Sequence, residues 1–434
     1  MNIIERFFRK PGMWKWWLTI VLFFATLLTY LNRQTIALCA PMICEEFNLT
    51  NEQYGRLISA FRLTYAIIHV PAGFMADHLA MRLTYALAVG FWSLAGAAAA
   101  VVFSFKQLLF TRAALGVGEA FNFPCATRIV ANAMPPQDRA LANGIFNSGA
   151  AVGSLTASLI ITPLALQFGW RGAFLIVGAA GFFWIAMWYA STKKGSKAHA
   201  AVARSGQPSD AAGVQTAPAT RREAVGRFCR EVLMHPAFWL LMLVSACINP
   251  SWYFLNEWIP KYMHDQRGFS VFAAGVVTIP IFLGADVGNL LGGGLVKFLA
   301  SRGWGLPAAR AATLALAAAL IAPVALLTHI PNPWIGIGLL GMAGFGVTAI
   351  MVNYTACIQA LSFNNVGLVS GILGMFGNVL SALVNPYIGK CVDRTGSYTA
   401  VFVAIPILAV ACLVAIASFD SLLKKRARND IATV

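Results

Sequence analysis

Long apolar runs constrain this chain more than any other feature of it. Twelve can be counted, from approximately 17–41 to 397–420, each near the ~20 residues a helix needs to cross a hydrocarbon layer of about 30 Å. Within such a layer a segment has to satisfy its own backbone N–H and C=O groups, so runs of this length become helices. Composition agrees: 59% of residues are hydrophobic, 11% are charged, and the mean hydropathy is +0.70. The expected fold class is an all-α membrane protein. The first run is full length and lacks a small-residue cleavage site, so it reads as a span and not as a removable signal.

The formal net charge is +16, from 32 Lys and Arg against 16 Asp and Glu. Such a surplus can mark a nucleic-acid binder, but its placement points to topology. With the N-terminus inside, about 21 basic residues fall in the termini and inside loops and about 6 in outside loops, the positive-inside pattern with both termini cytoplasmic. The expected partner is a lipid bilayer, with no nucleic acid, and a monomer is expected. Eight cysteines lie scattered, mostly in apolar runs, and read as small hydrophobes and not as disulfides or metal ligands.

The one long hydrophilic stretch, 192–236, divides the runs six and six. Within it, 195–220 reads as a flexible linker and 221–234 as a basic amphipathic surface helix. Paired segments half a chain apart suggest duplication: GFMADHLAMR at 73–82 with GLVKFLASRG at 294–303, and QFGWRGAF at 167–174 with DRTGSYTAVF at 393–402. The expected organisation is an N-terminal six-helix bundle (1–191), a cytoplasmic linker (192–236) and a C-terminal six-helix bundle (237–434), with a substrate site between the bundles at mid-depth.

Charges inside the apolar runs carry the functional signal. The stretch TRAALGVGEAFNFP at 111–124 puts Arg112 and Glu119 seven residues apart, close to two turns, so both project from one helix face. A charge at mid-bilayer costs roughly 2.5–3.5 kcal/mol, so such residues either line an ion or substrate path or form a structural pair between helices. Gly116 and Gly118 allow another helix to approach closely. Arg33, Arg62, Arg112, Arg128 and His69 outnumber the acidic groups at membrane depth, chiefly Glu119, Asp286 and Glu257. That excess suggests an anionic ligand, and guanidinium forks suit carboxylates. Arg33 either binds the anion or forms a structural pair; Arg128, near the inner end of its span, reads as a gating or snorkelling residue. Amides and aromatic rings, among them Asn147, Asn249, Trp252, Tyr253, Asn353, Asn378 and Asn385, suit either a polyhydroxylated ligand or helix–helix hydrogen bonding. No Walker loop, metal-ligand spacing or nucleophile motif occurs in context, so no enzyme, cofactor, catalytic residue or metal is expected. A membrane sensor that binds a ligand without moving it is the alternative from another class.

Span one with NRQ at 32–34, RAALGVGEAFNFP at 112–124, RALANGIFNSGAAVGS at 139–154 and WYFLNEWIPKYMHDQRGFS at 252–270 together resemble the anion:cation symporter family of the major facilitator superfamily, most of all its bacterial hexuronate transporters. The resemblance covers nearly the whole chain. It implies the major facilitator fold and proton-coupled symport of a sugar acid such as glucuronate or galacturonate in a bacterial inner membrane. Galactonate, glucarate or a dicarboxylate are alternative cargoes. By position, Arg33, Tyr65 and Arg112 match residues tied to substrate or coupling, Glu119 the proton carrier, and Asn378 a polar position near the sugar; Asn147 and Trp252 join them as expected substrate contacts. Asn32 stands where the family usually has Asp and cannot ionise, so either coupling rests on Glu119 or transport is uncoupled. Asp77 keeps the superfamily's inside-loop gating position, while His78 and Ala80 replace its usual Arg and Gly.

Overall fold

The computed structural model describes residues 13–193, 196–203, 232–361 and 366–432. These are almost entirely helical, with no β-strand among the described residues. In the first half lie α1 (Met13–Leu38), α2 (Asn51–His78), α3 (Met81–Ala98), α4 (Phe105–Glu119), α5 (Asn122–Ala133) and α6 (Pro136–Ser191). In the second lie α7 (Pro236–Glu257), α8 (Thr278–Ser301), α9 (Leu306–Ile321), α10 (Pro333–Leu361), α11 (Val366–Thr395) and α12 (Thr399–Ala432).

Ten helices among the described residues are long and apolar enough to cross a membrane. Two local breaks relate that number to the twelve apolar runs. The 56-residue α6 is too long for one crossing and turns at Gly169, whose φ of 71° lies in the left-handed region that favours glycine, so it holds two spans. The run at 108–133 is divided into α4 and α5 by a turn at Ala120 and Phe121. Pro124 accounts for that break: it has no N–H to give the Ala120 carbonyl, and its ring crowds the same group.

The chain divides into two compact units, Met1–Asp210 with Phe269–Val276, and Ala211–Gly268 with Val277–Val434. The segment Phe269–Val276 thus belongs with the first unit, although its sequence position falls in the expected C-terminal bundle. Gly275 explains it, since a Cβ there would meet Thr162 Oγ1 at 2.7 Å. Of the stretch expected to be a flexible linker, the described residues 196–203 include a helix, Lys197–Ala203, packed on α3 and α5. Its Ala-rich sequence KAHAAVA has the intrinsic preference for that state. The basic helix expected at 221–234 lies outside the described residues except for its last three.

Within the first unit α1 packs chiefly on α6, and α2 on α4. The latter contact depends on Gly116, where a Cβ would collide with the Phe61 carbonyl and Thr64 Oγ1. Gly118 does the same for α3, lying where a Cβ would be 2.7 Å from Trp92. In the second unit α8 packs on α10 through Gly284 and Gly288, with no room for a side chain against Gly341 and Phe345. Without a hydrophobic force between helices in lipid, such close approach supplies the van der Waals and weak polar contacts that hold spans together.

Candidate functional site

Three helices of the first unit bring the intramembrane charges together. Arg33 comes from α1, Phe61 and Tyr65 from α2 one turn apart, and Arg112 and Glu119 from α4 two turns apart. Arg33 Nε donates to Glu119 Oε2 at 2.7 Å. The Glu119 side chain is wholly buried, whereas that of Arg33 is 24% exposed. Glu119 therefore engages the inner edge of the guanidinium. The terminal nitrogens of Arg33 bond no other protein group among the described residues, which leaves an outer edge able to take a second carboxylate.

Aromatic rings hold the guanidinium in place. Its carbon lies 5.0 Å from the Tyr30 ring centre, 5.2 Å from Phe61 and 4.7 Å from Tyr65. Phe61 also meets Arg112, whose guanidinium carbon is 5.0 Å from the same ring. Two cations thus approach one aromatic ring, each attracted by its quadrupole. With Glu119 ionised the three charged groups carry a net charge of +1; with Glu119 protonated, +2. The cluster attracts an anion in both states, and more strongly once the carboxyl takes a proton.

The surroundings fix this arrangement. Thr64 Oγ1 donates to the Ala113 carbonyl at 2.8 Å, tying α2 to α4. Beyond the break, Tyr85 donates to Asn122 Oδ1 at 2.7 Å and Asn122 Nδ2 donates to Thr26 Oγ1 at 3.2 Å. That chain ties α3, α5 and α1 just past Glu119. Tyr85 in turn sits against Trp92, Trp184 and Trp188.

The remaining expected residues are distributed as follows. Asn32 is buried and donates to the Leu28 carbonyl of its own helix at 3.0 Å, while Gly96 of α3 leaves room for its Oδ1. Asn147 is exposed on α6, and Arg128 is half-buried on α5. The Asp77 side chain lies outside the described residues. In the second unit Tyr253 donates to Asn378 Oδ1 at 3.0 Å, and Trp252 stands edge-on to Phe282. Asn353 and Asn385 serve helix packing: Asn353 donates to the Gly292 carbonyl at 3.1 Å, and Asn385 accepts from Trp258 Nε1 at 2.9 Å. Arg112 and Glu119 share the buried face of α4, but the bond to Glu119 comes from Arg33. Sequence reasoning gave no role to Phe61 or Tyr30, whose only signal was helical spacing from Tyr65 and Arg33.

Long apolar helices that enclose a guanidinium–carboxylate pair are the architecture of a multi-pass membrane protein. The chain belongs to the Major Facilitator Superfamily, whose family model matches residues 22–384. It is 27% identical to the hexuronate transporter of Escherichia coli K12 over 392 residues, 89% of this chain and 90% of that one. With the hexuronate transporter of Bacillus subtilis it shares 27% over 414 residues, 92% and 93% of the two chains. The crystal structure of a bacterial homolog of the human lysosomal transporter Spinster has a similar fold, with a TM-score of 0.72 at 21% identity over 94% of this chain and 96% of that one. The protein is therefore a transporter of this superfamily.

Proposed function

We propose that this protein is a proton-coupled symporter of a sugar acid, a hexuronate such as glucuronate or galacturonate, working by alternating access in a bacterial inner membrane with both termini cytoplasmic. The observation that carries the reading is the Arg33–Glu119 pair, buried on the carboxylate side and open on the guanidinium side. A protonated Glu119 ceases to neutralise Arg33, whose free edge then takes the substrate carboxylate with Arg112 close by. Loss of the proton restores the internal pair and displaces the anion. The site thus binds substrate and proton with unequal affinity in its two states, which is what coupling requires. Tyr65 and Asn147 in the first unit, and Trp252 and Asn378 in the second, each offer groups suited to sugar hydroxyls. Asn32 cannot ionise, so the reading rests coupling on Glu119. The names of the two relatives support the choice of cargo.

The direct test replaces Glu119 by Gln, which keeps the shape and removes the titration. Proton-driven accumulation of labelled glucuronate should vanish, while exchange across the membrane survives. Accumulation equal to that of the parent chain would reject the assignment.

A further inference from the structure

Two buried carboxylates of the spans find an internal partner, Glu119 in Arg33 and Asp420 in Arg310. Asp286 of α8 does not. It forms no ion pair and no side-chain hydrogen bond among the described residues. An ionisable group on a membrane span is costly, and one left without an internal partner marks a path or a ligand site.

The contacts of α8 place it. One face packs on α10: Gly284 and Gly288 lie against Gly341 and Phe345, a Cβ on Gly292 would be 2.7 Å from Ala349 Cα, and the Ala285 carbonyl accepts from Thr348 Oγ1 at 2.8 Å. A second face carries Leu283, Val287, Leu290 and Leu291, 46–76% exposed, the apolar side that a bilayer covers. The third carries Phe282, Asp286 and, three residues on, Asn289. Phe282 is buried, and its ring stands edge-on to Trp252 of α7 with centres 6.3 Å apart. Asp286 follows Phe282 by one turn, and helical side chains lean towards the N-terminus, so the half-buried carboxyl lies over the turn that meets Trp252.

Three kinds of external partner suit a lone carboxyl: a metal cation, a proton or hydroxyl groups. A cation takes several converging oxygen ligands, and no group of three His, Cys, Asp or Glu side chains among the described residues supplies them. A proton gives the neighbouring indole no part. Hydroxyls use both groups: the two carboxylate oxygens accept from adjacent O–H groups while the aromatic face packs on the C–H side of a sugar ring.

Resting on the reading of the cargo as a sugar acid, we propose that Asp286 accepts the hydroxyls of the cargo and sets its charge class, with Trp252 as the flat support. In the proposed cycle Arg33 takes one carboxylate; Asp286, in the other unit, meets a different part of the same molecule. A hexuronate has a single carboxylate and hydroxyls around the rest of its ring. An aldarate such as glucarate or galactarate ends in a second carboxylate, which Asp286 repels and which has no proton to donate. The selection thus combines an attractive element with a repulsive one.

The test measures binding of glucuronate, glucarate, galactonate and galactarate to the full chain in detergent, by calorimetry, for the parent, D286N and D286A. The parent should favour the monocarboxylate of each pair. D286N keeps the shape but drops the charge and one acceptor. It should bind the monocarboxylate about tenfold or more weakly, and the preference over the dicarboxylate should narrow by at least that factor. The thermal midpoints of unliganded D286N and D286A should not fall, because the carboxyl bonds no protein group. A parent chain with no such preference, a D286N chain that keeps it, or lowered midpoints with the preference intact would overturn the proposal. If the galactonate pair follows the pattern while glucuronate does not bind, the hexuronate reading fails and Asp286 keeps its role. Binding of none of the four would overturn both.

Discussion

Arg33 is neutralised from within by Glu119, and the proposed cycle lets a ligand neutralise it from outside; its side-chain chemistry suits it to both. The planar fork offers Nε to one carboxylate and its terminal nitrogens to another, while its faces rest on Tyr30, Phe61 and Tyr65. Arg33→Lys keeps the charge and loses the second edge and the flat faces. We expect that variant to raise KM for the sugar acid by about tenfold or more, measured by concentration-dependent uptake. An unchanged KM would count against Arg33 as the anion's partner. The charged residues were legible in the sequence because Arg33, Arg112 and Glu119 stand out against apolar neighbours. Their pairing was not. Helical spacing joins Arg112 to Glu119 on one face, but the bond to Glu119 comes from a residue 86 positions away. Tertiary packing, not local spacing, selected that partner. Phe61 escaped notice for the opposite reason: one more aromatic in an apolar span has no contrast.

Among elements, close approach of helices is the common device. The α2–α4 contact at Gly116 leaves no space for a methyl group, so Gly116→Ala should destabilise the protein by about 1–3 kcal/mol, read as a lowered thermal midpoint in detergent. Gly144→Ala is the control, since a Cβ there meets nothing within 4 Å, and its midpoint should not fall. In the second unit Arg310 of α9 pairs with Asp420 of α12, both buried. Asp420→Ala strands the guanidinium and should cost about 3–5 kcal/mol in the same assay. At the end of the first span, Glu46 accepts from Arg171 and from Trp170 Nε1. The Arg171 hydrogen bond is the main force holding its carboxyl below the usual carboxylate range, with that of Trp170 adding to it. A lowered folded value stabilises above the ordinary range, and the benefit disappears as pH falls through it. The midpoints of the parent and Glu46→Gln should therefore differ at neutral pH and converge in acid, once the carboxyl is protonated in the folded chain; the difference amounts to at most about 1 kcal/mol for so exposed a pair. Midpoints equally separated at both pH values would contradict it. The helical runs themselves were legible from length and hydropathy, and the turn at Gly169 from the motif around it. The break after Glu119 was not located, because the proline responsible lies four residues beyond it.

For the whole molecule, the long apolar helices and the match to the Major Facilitator Superfamily agree on a transporter. In its first unit two guanidiniums approach a single phenylalanine, and one of them is paired with a buried carboxylate. With Asn32 unable to ionise, Glu119 is the proposed proton carrier. The measurement that bears most directly on this is uptake of labelled glucuronate into proteoliposomes, with and without an inward proton gradient. Accumulation above equilibrium is expected with the gradient and simple equilibration without it. Saturable entry that ignores the gradient, or no saturable entry at all, would contradict it.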